Sequence, residues 1–149
     1  MKLSEINLLF QRDLDRLKKE VEAYEREEDL WVIIPGTSNS GGNLTLHLLG
    51  NLQAFVGMDL GNISYTRDRE REFGARDISR KELLDEIDLV KGIMDRTLTE
   101  LNPQELEKIS PHRFFGYEMT QGYFLIHLYG HFNYHLGQIN YHRRMINPG

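Results

Sequence analysis

Residues 120–146 read TQGYFLIHLYGHFNYHLGQINYHRRMI. The stretch holds no proline, and apolar residues return every three or four positions, so it predicts one unbroken helix. At about 100° per residue, with His131 as the origin, Gln138 and His127 fall about 20° and 40° to one side and His142 and His135 about 20° and 40° to the other. Four of the six histidines and one amide therefore share a narrow stripe. Phe124, Leu128 and Phe132 lie on or beside it, which aims the stripe at an apolar interior. A helix of this kind needs partner helices to cover it.

Three partners are legible. Leu3, Ile6, Phe10, Leu14, Leu17, Val21 and Tyr24 step by threes and fours and predict a first helix over 3–24, fraying in the acidic run 25–29. Trp31-Val32-Ile33-Ile34 is too short and partnerless for a strand and reads as an extended connector that tucks Trp31 under the bundle. Residues 38–42 form a turn-rich loop. A second helix is expected over 43–61, with Asn43 as N-cap, Leu44, Leu48, Leu52, Phe55 and Val56 as its core stripe, and His47 beside that stripe. The charged stretch 65–74, YTRDREREFG, lacks helical periodicity. It reads as a surface loop in which Arg67, Arg69 and Arg71 pair with the interleaved acids rather than hold an anionic cosubstrate. Ser79 and Glu82 form a capping-box pattern ahead of a third helix, which carries Leu83, Ile87, Val90, Met94, Leu98 and Leu101 inward and ends at Asn102-Pro103. Residues 104–118 hold a short helical turn and the loop Ser110-Pro111-His112-Arg113. The expectation is an all-α chain, a four-helix bundle forming one domain over 1–149, with any site built between facing helices.

Composition narrows the chemistry. Eighteen Lys+Arg against 23 Asp+Glu give a net charge of −5, which argues against a phosphate-neutralising nucleic-acid surface. The absence of cysteine removes disulfides, thiolate zinc sites, iron–sulfur clusters and a cysteine nucleophile. No stretch approaches the roughly 18 apolar residues of a spanning helix, and the start lacks a secretory layout, so a cytoplasmic protein with neither membrane nor nucleic-acid partner is expected.

The histidines remain. One histidine on an apolar face is ordinarily a core residue satisfied by a hydrogen bond, but a run at i, i+4 and i+8 is a different pattern. Imidazoles one turn apart have Cβ atoms about 5–6 Å apart and can converge on one cation. A metal also uses the lone pairs of neutral rings that would otherwise be desolvated together. Spacing alone leaves His127/His131 and His131/His135 equally good as the pair. A third ligand must come from elsewhere; His47, in mid-helix beside a core stripe, is a better candidate than His112, in a loop after a proline. Gly130 and Gly137 lie within about 20° of each other and read as a close helix crossing.

His47-Leu48-Leu49-Gly50-Asn51, together with His131-Phe132-Asn133-Tyr134-His135-Leu136-Gly137-Gln138, resembles the single upstream histidine and the later His-x-x-x-His with trailing Gly-Gln of the DinB-like superfamily. That superfamily includes the YfiT-like hydrolases and the bacillithiol transferases, and the segment from Thr66 to Phe73 looks like a small branch of it. The resemblance implies a divalent metal, zinc or nickel foremost, on His47, His131 and His135, with other coordination positions open. It thereby selects between the two histidine pairs and leaves His127 and His142 as extras outside the family pattern; Gln138, His127 and Asn51 are the candidates to surround the ligands. It also implies a homodimer, for which the stripe of the first helix is one candidate surface. The activity it implies is a metal-dependent transferase that activates a low-molecular-weight thiol and adds it to an electrophile. The alternatives are hydrolysis with hydroxide as nucleophile, for which the sequence places no carboxylate beside the histidines, and a noncatalytic metal-binding bundle.

Overall fold

The computed structural model describes residues 1–148, and among them the architecture is all-α, with one isolated bridge between Ile109 and Thr120. Helix α1 (Leu3–Ala23) leads through a 3₁₀ turn (Glu27–Trp31) to α2 (Gly41–Leu52), which runs on as a π-helical stretch (Gln53–Met58). A short α3 (Arg69–Gly74), then α4 (Arg80–Glu100), a second 3₁₀ turn (Pro103–Glu107) and α5 (Gln121–Ile146) complete the chain. The four expected bundle helices are α1, α2, α4 and α5; α1 and α2 each pack on both α4 and α5.

The predicted stripes form the core. Ile6, Phe10, Leu14, Leu17 and Val21 of α1 join Leu83, Ile87, Val90, Met94 and Leu98 of α4, Leu44, Leu48 and Leu52 of α2, and Phe124, Leu128 and Phe132 of α5 in one buried cluster. Leu101, just past α4, is only half-buried. Trp31 is buried as expected and its indole N–H donates to the Ile78 carbonyl at 3.2 Å; of the connector expected over 31–34, Trp31 closes the 3₁₀ turn, and the backbone turns extended at Val32. Ser79 accepts the Glu82 backbone N–H at 3.1 Å, the Ser79 half of the expected capping box.

Two boundaries differ from expectation. Helix α2 begins at Gly41 with Ser40 as N-cap, its Oγ accepting the Asn43 N–H at 3.1 Å. Asn43 is thereby released, and its side-chain amide donates to the carbonyls of Glu72 and Ala75, both at 2.9 Å. Second, the expected surface loop at 65–74 contains α3, capped by Asp68, with Glu72 buried beneath it. Helix α2 is buried on every side. A helix apolar all round needs a cover on each face, and α3 supplies the one that α4 and α5 leave open. Six residues make fewer than two turns, too few to show a period, and hydrogen bonds from Asn43 and His47 of α2 to Glu72, rather than an apolar stripe, tie α3 to α2.

Candidate metal centre

Helix α2 carries His47 with Gly50 and Asn51 one turn on, and α5 carries His131 and His135. The structure brings the three histidines together. Ring centroids lie 5.1 Å apart for His47–His131, 5.2 Å for His47–His135 and 4.6 Å for His131–His135. One nitrogen from each ring lies within 4.8 Å of the other two, and the Nε2 atoms of His47 and His131 stand 3.2 Å apart.

Hydrogen bonds set the tautomers. His47 Nδ1 lies 3.1 Å from Glu72 Oε1; a carboxylate only accepts, so the proton sits on Nδ1 and the Nε2 lone pair turns toward His131. Arg67 Nη2 is 3.3 Å from the same Nδ1, but it donates to Glu72 Oε1 at 3.1 Å while Arg67 Nε donates to Oε2 at 3.0 Å. His135 Nδ1 donates to Gln138 Oε1 at 2.7 Å, which leaves its Nε2 bare. His131 Nδ1 is buried without a partner. Two of the three rings are thus held in the tautomer that a cation needs. With those two committed, the inward nitrogens share at most the one proton that His131 can supply. The donor set fits a divalent ion.

Electrostatics agree. Burial first, then His135 and His47, push His131 down to about 4, and burial lowers His135 against the opposing bond from Gln138. Burial raises Glu72, yet the hydrogen bonds from His47 and Arg67 outweigh it and hold the carboxyl below its ordinary range. In the metal-free chain His131 therefore titrates near 4 folded and near 6.5 unfolded. Between those values the unfolded chain binds more protons, so stability present above pH 6.5 is lost toward pH 4, at up to about 1.4 kcal/mol per unit for one such group. His135 and His142 shift in the same direction. Thermal melts of the metal-free chain from pH 7 to 4.5 should show a steady fall, whereas the increment from added metal should shrink as the pH approaches 4, where the folded His131 gains its proton. A flat profile would contradict this geometry.

Other sequence-predicted residues separate. His127 is exposed, stacked on Phe124 and 6.2 Å from the His131 ring centre; Gln138 is exposed and serves His135. Asn51 is buried with its Oδ1 unpartnered. His142 is a core histidine, because its Nε2–H donates to the Val32 carbonyl and its Nδ1 accepts from the Tyr24 hydroxyl, both at 2.7 Å. His112 pairs with Asp59 at 2.6 Å, outside the three-histidine set. The stripe therefore lies along the seam between core and solvent instead of facing inward, since the core arc of α5, Phe124 to Ile139, is centred to one side. Gly130 and Gly137 face open space, where a Cβ would meet nothing within 4 Å, so a helix crossing within the bundle does not explain them.

Sequence reasoning missed Glu72, the buried carboxylate beside His47. A signal was present in Gly50, where a Cβ would stand 2.3 Å from Glu72 Oε2; only glycine lets that carboxylate back against α2. Beside His47 and His131 opens a cleft of about 330 Å³, walled by phenylalanines, with Arg67, Arg69 and Asn51 at its edges. A larger depression of about 480 Å³ at Tyr141, Arg144 and Met145 contains no histidine.

No family model and no curated protein matches the chain. Among solved structures, the crystal structure of a DinB-like protein from Bacillus cereus ATCC 10987 matches with a TM-score of 0.69 over 91% of this chain and 86% of that one, at 22% identity. The bundle has the DinB-like fold that the histidine motifs imply.

Proposed function

We propose that this DinB-like bundle is a metal-dependent transferase, with one divalent ion on His47, His131 and His135 and a low-molecular-weight thiol as its nucleophile. Three neutral imidazoles converging beside an open cleft carry the reading, since three protein ligands with an accessible side are the donor set of a catalytic rather than a structural metal. Such an ion, zinc or nickel by ligand type, supplies Lewis acidity that brings a coordinated thiol toward deprotonation near neutral pH. The chain's own residues do the rest. Glu72 and Gln138 orient two rings, Arg67 keeps Glu72 ionised, and His127, exposed on the cleft wall, is placed to take the thiol's proton. With no cysteine in the sequence, a cosubstrate supplies the sulfur.

Glu72 does not favour hydrolysis. It meets His47 at Nδ1, the ring edge opposite the Nε2 that faces His131, and it is committed to Arg67. No acidic residue lines the cleft among the described residues. The test is turnover of an electrophilic chloronitrobenzene or epoxide with a panel of thiols. Transfer should need both metal and thiol and vanish in His47→Ala, and a non-reacting thiol should add a sulfur-to-metal charge-transfer band to cobalt-substituted protein. Ester or amide turnover with no thiol requirement would overturn the assignment. Metal uptake with neither thiol coordination nor transfer would leave a noncatalytic bundle.

We also propose that a second copy covers the outer face of α5. The α1 stripe, expected as one candidate dimer surface, is consumed by the core. On α5, Tyr123, Ile126, Tyr134, Tyr141 and Met145 are exposed, with Gly130 and Gly137 in open space among them. Each glycine costs about 1 kcal/mol relative to alanine in a helix and gains nothing inside the bundle, but lets another helix come close. Turning a second α5 antiparallel about the point midway between Asn133 and Tyr134 sets Gly130 against the partner's Gly137, Ile126 against the partner's Tyr141 and Tyr123 against the partner's Arg144, the self-matching register of a two-fold interface. Light scattering should find a dimer that Tyr134→Glu converts to a monomer; a monomeric wild-type protein would overturn the pairing.

A further inference from the structure

The cleft beside the histidines holds more aromatic surface than metal chemistry requires. Phe124 is buried, and Phe55 stands edge-on to it at 5.3 Å. Phe114 lies 5.6 Å from Phe55 and 6.0 Å from Phe124, and stacks on His112, which Asp59 holds. Phe115 closes against His127 at 4.6 Å. Phe114 is 61% exposed and Phe115 37%, so their rings are spent on the cleft and not on the core.

Two polar groups there are unspent. Arg67 gives its charge to Glu72, but Arg69, which also lines the cleft, has no carboxylate within ion-pair reach among the described residues; its guanidinium rests on Phe73 at 5.4 Å. Asn51 is buried at the cleft with Oδ1 unpartnered, and a buried acceptor without a donor is costly, so a ligand N–H or O–H would satisfy it. The volume of about 330 Å³ sits at the low end of small-molecule sites, enough for one ring and its substituents.

We propose that the cleft binds a single-ring aromatic anion bearing a hydrogen-bond donor, with its ring among Phe55, Phe114 and Phe124, its anionic group on Arg69 and its donor on Asn51 Oδ1. The inference rests on the transferase reading in one respect, that such a compound is the second substrate of that reaction when its ring also carries a leaving group, such as a halide, which departs as the anion when the thiolate forms the carbon–sulfur bond. Aromatic walls select a flat apolar body, and an exposed guanidinium beside them selects the charge.

The test titrates the full chain, with and without zinc, against 3-hydroxybenzoate, benzoate, cyclohexanecarboxylate and benzyl alcohol, followed by calorimetry or ligand-observed NMR. 3-Hydroxybenzoate should bind tightest, benzoate next, and the saturated acid and neutral alcohol about tenfold more weakly. Arg69→Gln should erase the preference of benzoate over benzyl alcohol, and Phe114→Ala, at an exposed loop position, should weaken every aromatic ligand. Equal binding of all four, no binding, or binding unchanged by Arg69→Gln overturns the proposal. Metal uptake measured on the same samples separates the two readings: aromatic-anion binding by a chain that takes up no metal supports this site and removes the enzyme, whereas metal uptake without it removes this site alone.

Discussion

Replacing Glu72 by Ala is expected to destabilise the fold by about 3–5 kcal/mol and to weaken metal binding about 10- to 100-fold. Both losses have one origin. The carboxylate is 2% exposed and receives two N–H groups from Arg67, itself mostly buried, and one from His47. Its removal strands a buried guanidinium, frees the His47 ring to turn, and cuts a main tie between α3 and α2. Glu72→Gln keeps the shape and an acceptor but cannot neutralise Arg67, so it should fall between wild type and Glu72→Ala in stability and lose less metal affinity. Gly50→Ala presses on the same carboxylate from the α2 side and should lower both quantities together. Urea denaturation reads stability, and competition with a chromophoric chelator reads affinity. Lost stability with unchanged metal affinity would reduce Glu72 to a docking residue for α3.

The second large effect is at His131. Its replacement by Ala removes one of three proposed ligands and should lower metal affinity about 100-fold or more, whereas His127→Ala, at an exposed ring 6.2 Å away, should change it by less than about threefold. The two variants also part in acid. A half-buried imidazole held neutral down to about pH 4 costs stability below 6.5, so metal-free His131→Ala should lose less stability than wild type between pH 6.5 and 4.5, while His127→Ala should track wild type. Equal metal losses in the two variants would mean that the pair on α5 is His127 with His131.

Much of this arrangement was legible in the chain. Long helices announce themselves by period, and the stripes of α1, α4 and α5 are the ones that pack. Helical spacing made His131 with either His127 or His135 legible, and a mid-helix position pointed to His47, because neither needs tertiary contacts; the choice of His135 came from the resemblance to the DinB-like motifs. The losses all involve partners distant in sequence. His142 shares the stripe with the ligands, and nothing local reveals that Tyr24 and Val32 satisfy both its nitrogens. Gly41 and Gly42 read as a loop but sit in α2, since Tyr24 and Trp31 fill the space where their side chains would stand. The DREREF run looked solvated because charge in a sequence carries no sign of burial; a buried glutamate pays its desolvation only through Arg67, His47 and the room left by Gly50.

The central claim is one divalent ion per chain on His47, His131 and His135. Protein purified without a histidine tag, stripped with a chelator, dialysed and titrated with zinc or nickel should take up one equivalent per chain, and His131→Ala treated identically should take up none near stoichiometry. A wild-type chain that binds neither ion near one equivalent, or a His131→Ala chain that binds as the wild type does, contradicts it.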